Sequence, residues 1–167
     1  MAQPDVAELL ASLIAANVDF VVVGGVAASA WGLPGRRKDV DVVLDPRPVH
    51  LARVAELVVR LAGYADHGVM RSRSPAAIAT ALRNSRRVLL STDLGHLDVV
   101  NRVEGVPSYD TLRRDAVRLS VHGVRVQVCS LAHLQSMKQT ADRESDRRDL
   151  ERLARAMSYS GSASPAG

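Results

Sequence analysis

Two short motifs contain the residues of this chain that are best suited to chemistry: Gly24-Gly25 and, about fifteen residues later, Asp39-Val40-Asp41. A hydrophobic run, 20–23, leads into the glycines, and glycine lets a backbone approach a phosphate closely. Residues two apart in a strand project from the same face, so Asp39 and Asp41 point the same way. Paired carboxylates suit a hard divalent cation such as Mg²⁺. Phosphate oxygens and water complete the coordination shell of that ion. The order of these elements predicts a site for a nucleoside triphosphate and its metal ions.

Asp98 is the best candidate for a third acid at this site. It lies in an otherwise apolar strand-like segment, 95–100. Three carboxylates on neighbouring strands could hold two metal ions roughly 4 Å apart, which would grip the attacking and leaving oxygens of a transfer reaction. Each acid taken alone is equally compatible with a solvent-facing position at a strand end. The glycine turn that precedes the first pair favours the metal site.

Hydrophobic periodicity predicts the elements that position these residues. These elements indicate the fold class α/β (α+β). Helices are predicted near 6–14, 49–61, 75–83 and, in two parts, 130–157. Strands are predicted at 20–23, 40–44, 87–90, 96–100, 116–121 and 124–128, and an exposed loop at 65–75. Residues 1–158 are expected to form a single domain, and 159–167 a disordered tail.

Composition narrows the class of protein. The 167 residues carry a net charge of +4, which favours an anionic partner such as RNA or a nucleotide. Twenty of the 22 basic residues are arginine, so a general preference for arginine explains the charge equally well. Aromatic residues are scarce, which argues against a platform for stacking single-stranded bases.

Location is also predicted from composition. No stretch has the roughly 18 apolar residues of a membrane span, and no signal peptide is apparent at the N-terminus. The lone cysteine, Cys129, cannot form an internal disulfide and is expected to be a buried structural thiol. We therefore expect a cytoplasmic protein that does not associate with membranes.

The motifs resemble a known signature. The segment from Val22 through Gly24-Gly25 to Asp39-Val40-Asp41 is similar to that of the polymerase-beta-type nucleotidyltransferases. Within that superfamily the chain most resembles minimal bacterial proteins grouped with the type IV toxin nucleotidyltransferases (AbiEii-like). The block 131–138 and the Arg143…Asp146 element after it are similar to that group's C-terminal helices. The resemblance covers most of residues 6–157 and implies the nucleotidyltransferase fold, a mixed β-sheet flanked by helices, with helices at the C-terminus.

The resemblance implies a role for each matching residue. Gly24 and Gly25 would bind the triphosphate of an NTP such as ATP. Asp39, Asp41 and Asp98 would hold one or two Mg²⁺ ions, and Asp98 could also accept the proton of the attacking hydroxyl. Lys138 would help to neutralise the triphosphate, although a surface lysine on a helix is the alternative.

One segment departs from the pattern of the family. Many relatives have an arginine four residues, and a threonine two residues, before the first acid. Here those positions are Gly35 and Arg37. Arg37 is expected to provide a charged phosphate contact in place of the missing hydroxyl.

The acceptor stays open at this point. By resemblance it is an RNA such as tRNA, with the protein acting as the toxin of a toxin–antitoxin pair beside a cognate antitoxin. Alternatives are an antibiotic nucleotidyltransferase of the aminoglycoside or lincosamide type, an antitoxin that modifies proteins, and a non-catalytic nucleotide-binding module. Arg71 and Arg73 either contact the phosphates of the acceptor or are ordinary arginines of an exposed loop. Arg143 and Asp146 either contribute to the site, as the resemblance implies, or belong to a solvent-exposed helix face that is stabilised by ion pairs.

Overall fold

The computed structural model of the protein describes residues 5–33, 39–66, 71–141 and 144–160. Two of the predicted site residues, Arg37 and Arg143, lie outside the described residues. Of the predicted tail, 161–167 lies outside them too, while the last helix continues to Ser160. No helix in the described part of the chain combines the length and apolar character needed to cross a bilayer.

The centre of the molecule is a mixed eight-stranded sheet. Its strands are β1 Phe20–Val23, β2 Val40–Leu44, β3 Tyr64–Asp66, β4 Arg71–Ser72, β5 Val88–Thr92, β6 Gly95–Val99, β7 Val117–Val121 and β8 Val124–Val128. Their order across the sheet is β4-β3-β5-β6-β2-β1-β8-β7. The pairs β1–β8 and β2–β6 are parallel, and the other neighbours are antiparallel. The predicted α+β class with a mixed sheet is confirmed.

Seven helices accompany the sheet among the described residues. They are α1 Val6–Ala15, α2 Gly24–Ala30, α3 Pro48–Arg60, α4 Pro75–Asn84, α5 Tyr109–Asp115, α6 Leu131–Ala141 and α7 Glu144–Ser160. Local chemistry explains several of the starts: the side chains of Asp5, Ser74 and Ser108 each accept a hydrogen bond from a backbone N–H in the first turn. Proline at the first position also favours the start of α3 and α4.

One secondary-structure prediction was wrong, and one helix was missed. The segment 65–75 is not simply an exposed loop, since it contains parts of β3 and all of β4, which pair with each other. Only two residue pairs join them, so the strands are too short to leave a hydrophobic pattern. Helix α5 was not predicted. It buries only Tyr109 and Leu112, too few residues to give a helical period.

The core lies on both sides of the two central strands. All four residues of β1 are buried, as are four of the five in β2, and such strands have continuous apolar sequences because both faces are covered. Helices α1 and α3 contribute apolar stripes to the same core. The stripes consist of Leu9, Leu10 and Leu13, and of Leu51, Val54 and Val58. The residue that interrupts the apolar run of β2 is Asp41, which is half-buried.

Candidate active site

The turn between β1 and α2 brings a glycine against a carboxylate. Gly24 follows the buried end of β1 and has φ = +67°, a left-handed conformation that side chains with a β-carbon rarely adopt. Asp41 lies on the neighbouring strand, paired with Val23. A β-carbon on Gly24 would collide with Oδ2 of Asp41 and would lie 3.0 Å from its Cγ. The glycine is therefore needed for the local backbone and also for the space that the Asp41 carboxylate occupies.

Sheet register brings the second and third predicted acids together. In the parallel pair β2–β6, Asp41 is directly opposite Asp98. Asp98 is buried and Asp39, just before β2, is exposed. All three line one cavity of about 950 Å³, together with Gly24 and Gly25. The predicted glycine and acid residues thus share a single site.

Arg87, immediately before β5, neutralises the buried acid. Its Nε donates to both carboxylate oxygens of Asp98, at 3.0 and 2.9 Å, and its Nη2 donates to Oδ2. Only 5% of the Asp98 side chain is exposed, against 67% of Arg87. The hydrogen bonds from Arg87 to Asp98 and the charge of that carboxylate, with a smaller contribution from Asp41, raise the pKa of Arg87 above its ordinary value. The guanidinium is therefore permanently charged and lies within the field of two of the three acids.

Hairpin geometry could have identified Arg87 from the sequence. Strands β5 and β6 are joined by a two-residue turn, Asp93-Leu94, and pair Leu89 with Asp98. Arg87 is two residues before Leu89, so it belongs to the same face and lies diagonally opposite the acid. The hairpin itself was predicted, but its register was not used to place Arg87 beside Asp98.

The charge of the cavity favours cations. Among the described residues that line it, six carry carboxylates: Asp39, Asp41, Asp98, Glu104, Asp146 and Asp149. Two, Arg87 and Lys138, carry a fixed positive charge. A triphosphate entering alone would meet this negative excess and be repelled. Divalent cations held by the carboxylates would offset that excess and could coordinate the phosphate oxygens.

The donor set of the three acids fits magnesium, which is held by carboxylate oxygens and completes its shell with phosphate and water. The ligand atoms of Asp39, Asp41 and Asp98 do not all lie within 4.8 Å of one another, unlike those of the cluster discussed next. The Arg87 guanidinium already balances the Asp98 carboxylate. Asp39 and Asp41 would hold the ion, and Asp98 would share its carboxylate between the ion and Arg87.

A second cluster of potential metal ligands lies at the other end of β1 and β2. Ligand atoms of Asp19, Asp45 and His50 lie within 4.8 Å of one another. Nη2 of Arg47 lies among them, 2.7 Å from Asp45, 3.1 Å from His50 Nε2 and 3.7 Å from Asp19. Nδ1 of His50 accepts a hydrogen bond from the Asp19 backbone N–H. The Arg47 guanidinium already occupies the space between these ligand atoms, so an ion would have to displace it.

Lys138 occupies a buried ion cluster on the cavity wall. Its Nζ lies 2.7 Å from Oδ2 of Asp149 and 3.5 Å from Oδ1 of Asp146, and all three side chains are almost fully buried. Lys138 is therefore not the surface lysine that was the alternative. Its charge is already balanced by two carboxylates, so a contact with triphosphate would have to be shared with them. Asp146 was predicted only as a possible contact, and Asp149 was not predicted as a site residue.

The predicted loop arginines lie away from the cavity. The guanidinium carbons of Arg71 and Arg73 are 5.0 and 5.1 Å from the centre of the Tyr64 ring. Neither arginine lines the acid-rich cavity. Both contact the Tyr64 ring on β3 through cation–π interactions. The structure does not bring them to the other predicted site residues.

The fold has a known counterpart. The chain is similar to the crystal structure of the lincosamide antibiotic adenylyltransferase LnuA with lincomycin bound. The sequences are 16% identical, the match covers 88% of this chain and 92% of that one, and the TM-score is 0.60. No protein-family model and no curated protein sequence matches the chain. The protein thus has a nucleotidyltransferase fold, and the resemblance to the type IV toxin group stays a prediction.

Proposed function

We propose that the protein is a magnesium-dependent nucleotidyltransferase, which moves a nucleotidyl group from an NTP to an acceptor hydroxyl. The observation that carries the proposal is the sheet register that sets Asp41 beside Asp98 and next to Gly24, in one cavity with Asp39. The shared fold of an adenylyltransferase supports it. Catalysis of this kind depends mainly on positioning and charge neutralisation.

The chain's own residues divide the work. Gly24 and Gly25 leave room for the triphosphate against the backbone of the β1–α2 turn. Asp39 and Asp41 hold Mg²⁺, which when bound neutralises phosphate charge. The acceptor oxygen forms a bond to the α-phosphorus while the bond from that phosphorus to the bridging oxygen breaks, releasing pyrophosphate. The carboxylate of Asp98 accepts the hydroxyl proton, and Arg87 holds that carboxylate in place.

RNA is the acceptor class that we propose first. The net positive charge and the resemblance to RNA-modifying toxins support it. In this role the protein would be the toxin of a pair with a cognate antitoxin, and its expression alone would arrest growth. Co-expression of a neighbouring antitoxin gene would restore growth. An Asp41→Asn variant that arrested growth equally would separate the toxicity from the proposed chemistry.

A small antibiotic is the second candidate acceptor, because part of the cavity wall is apolar. Leu89, Val100, Val103, Val106, Leu134 and Met137 line it beside the acids. Such a wall suits a compact ligand with apolar surface more than a phosphate backbone. The lincomycin bound to LnuA, a protein of the same fold, points the same way. Expression of the chain would then raise the concentration of the drug that inhibits growth.

The transfer reaction can be tested without knowing the acceptor. Purified protein is incubated with each α-³²P-labelled NTP, Mg²⁺ and, separately, total RNA, cell-lysate proteins, a lincosamide or an aminoglycoside. We expect label on one acceptor with the wild type, and at least a hundredfold less with Asp41→Asn. Asp93→Asn is the matched control, since it removes an exposed carboxylate from the β5–β6 turn. Equal labelling by wild type and Asp41→Asn would refute the proposal.

A further inference from the structure

A second cavity, of about 620 Å³, lies at the opposite end of the central strands from the acids. Asp19, on its wall, precedes β1, whereas Gly24 follows it. The four residues of β1 separate the two, and the five steps from Asp19 to Gly24 span about 16 Å at roughly 3.3 Å per residue. This cavity is therefore distinct from the proposed catalytic site.

Arginines from four elements converge on this cavity. We call the set the arginine pocket, and it consists of Arg47, Arg53, Arg113, Arg118 and Arg125. Among the described residues of its lining, Asp19 supplies the one carboxylate. Asp19 and Asp45, which both pair with Arg47, offset two of the five positive charges, so the pocket carries a positive excess, opposite in sign to the acid-lined cavity. A cavity of this charge attracts anions.

Two arginines of the pocket, Arg47 and Arg53, are held in place by hydrogen bonds. The guanidinium of Arg47 donates to both oxygens of the buried Asp45 carboxylate, at distances of 2.7–3.1 Å. Arg53 donates from Nη1 to the backbone oxygen of Asn17 at 2.9 Å. These bonds fix two guanidinium groups before any ligand arrives, which lowers the entropy cost of binding.

Two other arginines of the pocket, Arg118 and Arg125, have no acidic partner among the described residues. Arg118 and Arg125 are exposed on the β7–β8 hairpin, where Arg118 pairs with Gln127 and Arg125 with Ser120. Cross-strand partners share a face, so the two arginines project from the same side of the hairpin. Neither forms an ion pair with any residue that the structure describes. Their like charges repel each other, and a bound anion would relieve that repulsion.

We propose that the arginine pocket binds the phosphate groups of an anionic ligand. Guanidinium groups recognise phosphate through paired N–H donors, and they do so better than point charges such as lysine. Arg118 and Arg125 contact the phosphate from the β7–β8 hairpin, and Arg47 and Arg53 contribute guanidinium groups whose positions are already fixed. The phosphate belongs either to a nucleic-acid backbone or to a free phosphorylated molecule. The proposal does not depend on nucleotidyl transfer.

Binding is measured without Mg²⁺ or NTP, so that the acid-lined cavity does not contribute. One probe is a fluorescein-labelled 12-nucleotide single-stranded RNA, followed by anisotropy across a salt series. The other is inorganic phosphate, followed as a rise in Tm relative to NaCl of equal ionic strength. The test variant is Arg118→Gln/Arg125→Gln. The matched control is Arg60→Gln/Arg83→Gln, which removes the same charge from exposed helix positions that line neither cavity.

We expect the test variant to bind the RNA roughly tenfold more weakly at low salt, with a salt slope reduced by about 1.4, because each phosphate contact contributes about 0.7. The control should change by less than about twofold. Loss of the phosphate-induced Tm rise with RNA binding unchanged would support a free phosphorylated ligand instead. If the test variant and the control behave alike with both probes, the proposal is wrong.

Discussion

The backbone at Gly24 and the carboxylate of Asp41 are in such close contact that no β-carbon fits between them. The sequence interpretation gave Gly24 one role, the approach to phosphate. The structure adds another, because the glycine makes room for a proposed metal ligand on the adjacent strand. The two motifs are therefore parts of one packing arrangement, and a change in the first should displace the second.

Gly24→Ala tests this relationship. The left-handed backbone alone should cost about 1–2 kcal/mol of stability, and the overlap with Asp41 about 1–3 kcal/mol more. Gly123→Ala is the control, since Gly123 has φ = +84° but open space around its α-carbon. Urea denaturation of both variants separates strain from collision. Equal destabilisation of the two would show that Asp41 does not constrain Gly24.

Arg87→Ala should make the protein depend more strongly on magnesium for stability. The variant leaves the buried Asp98 carboxylate without its guanidinium, and a divalent cation can replace that charge. We expect the rise in Tm on adding MgCl₂ to be larger for Arg87→Ala than for the wild type. Arg87→Lys, which keeps the charge but not the paired hydrogen bonds, should fall between them. Identical shifts in all three proteins would mean that Mg²⁺ does not reach Asp98.

Removing the buried cation at Lys138 should strongly destabilise the protein. Lys138→Met leaves Asp146 and Asp149 as buried carboxylates without their lysine, and breaking such a cluster costs about 3–5 kcal/mol. Lys138→Met/Asp149→Asn should recover part of the loss, because one negative charge is removed as well. Chemical denaturation measures both. A Lys138→Met variant as stable as the wild type would contradict the structural role.

The Asp45–Arg47 pair should contribute stability that disappears in acid. Hydrogen bonds from Arg47 hold the pKa of Asp45 below its ordinary value. A carboxyl whose folded pKa is lowered stabilises the native state above its unfolded pKa, near 4, and loses that contribution as the pH falls through the folded pKa. Wild type should therefore be more stable than Asp45→Asn at pH 7, and the two should converge below about pH 4. A gap in unfolding free energy that stays constant from pH 7 to pH 3 would argue against the pairing.

Cys129 should be inert in the folded protein. The thiol is buried, and burial raises its pKa to about 12, so almost none of it is thiolate at neutral pH. We expect negligible alkylation by iodoacetamide at pH 8 in buffer and complete alkylation in denaturing urea, as measured by mass spectrometry. Rapid labelling of the native protein would show that the β8–α6 junction opens readily.

Sequence predicted the parts of the fold that rest on strong hydrophobic periods. The amphipathic helix α3, the hairpin β7–β8 and the mixed sheet were predicted and are confirmed. The strands β3 and β4 and helix α5 were missed. They bury few residues, so they leave no period to detect.

The site was predictable as a set of residue types but not as a set of partners. Gly24, Gly25, Asp39, Asp41 and Asp98 follow from strand alternation and resemblance, and they share one cavity. The pairing of Arg87 with Asp98, and of Lys138 with Asp149, depends on sheet register and helix packing. The register of the β5–β6 hairpin could have placed Arg87 beside Asp98, but the contact of Lys138 with Asp149 arises only when α6 packs against α7.

The central claim is that Asp41 binds an NTP through a divalent metal ion, and calorimetric titration with a non-hydrolysable NTP tests it most directly. We predict binding by the wild type in the presence of Mg²⁺, loss of that binding in EDTA, and at least tenfold weaker binding by Asp41→Asn. Asp93→Asn, with its exposed carboxylate removed, should bind like the wild type. Binding that is indifferent to EDTA, or that is equal in Asp41→Asn and the wild type, would contradict the account.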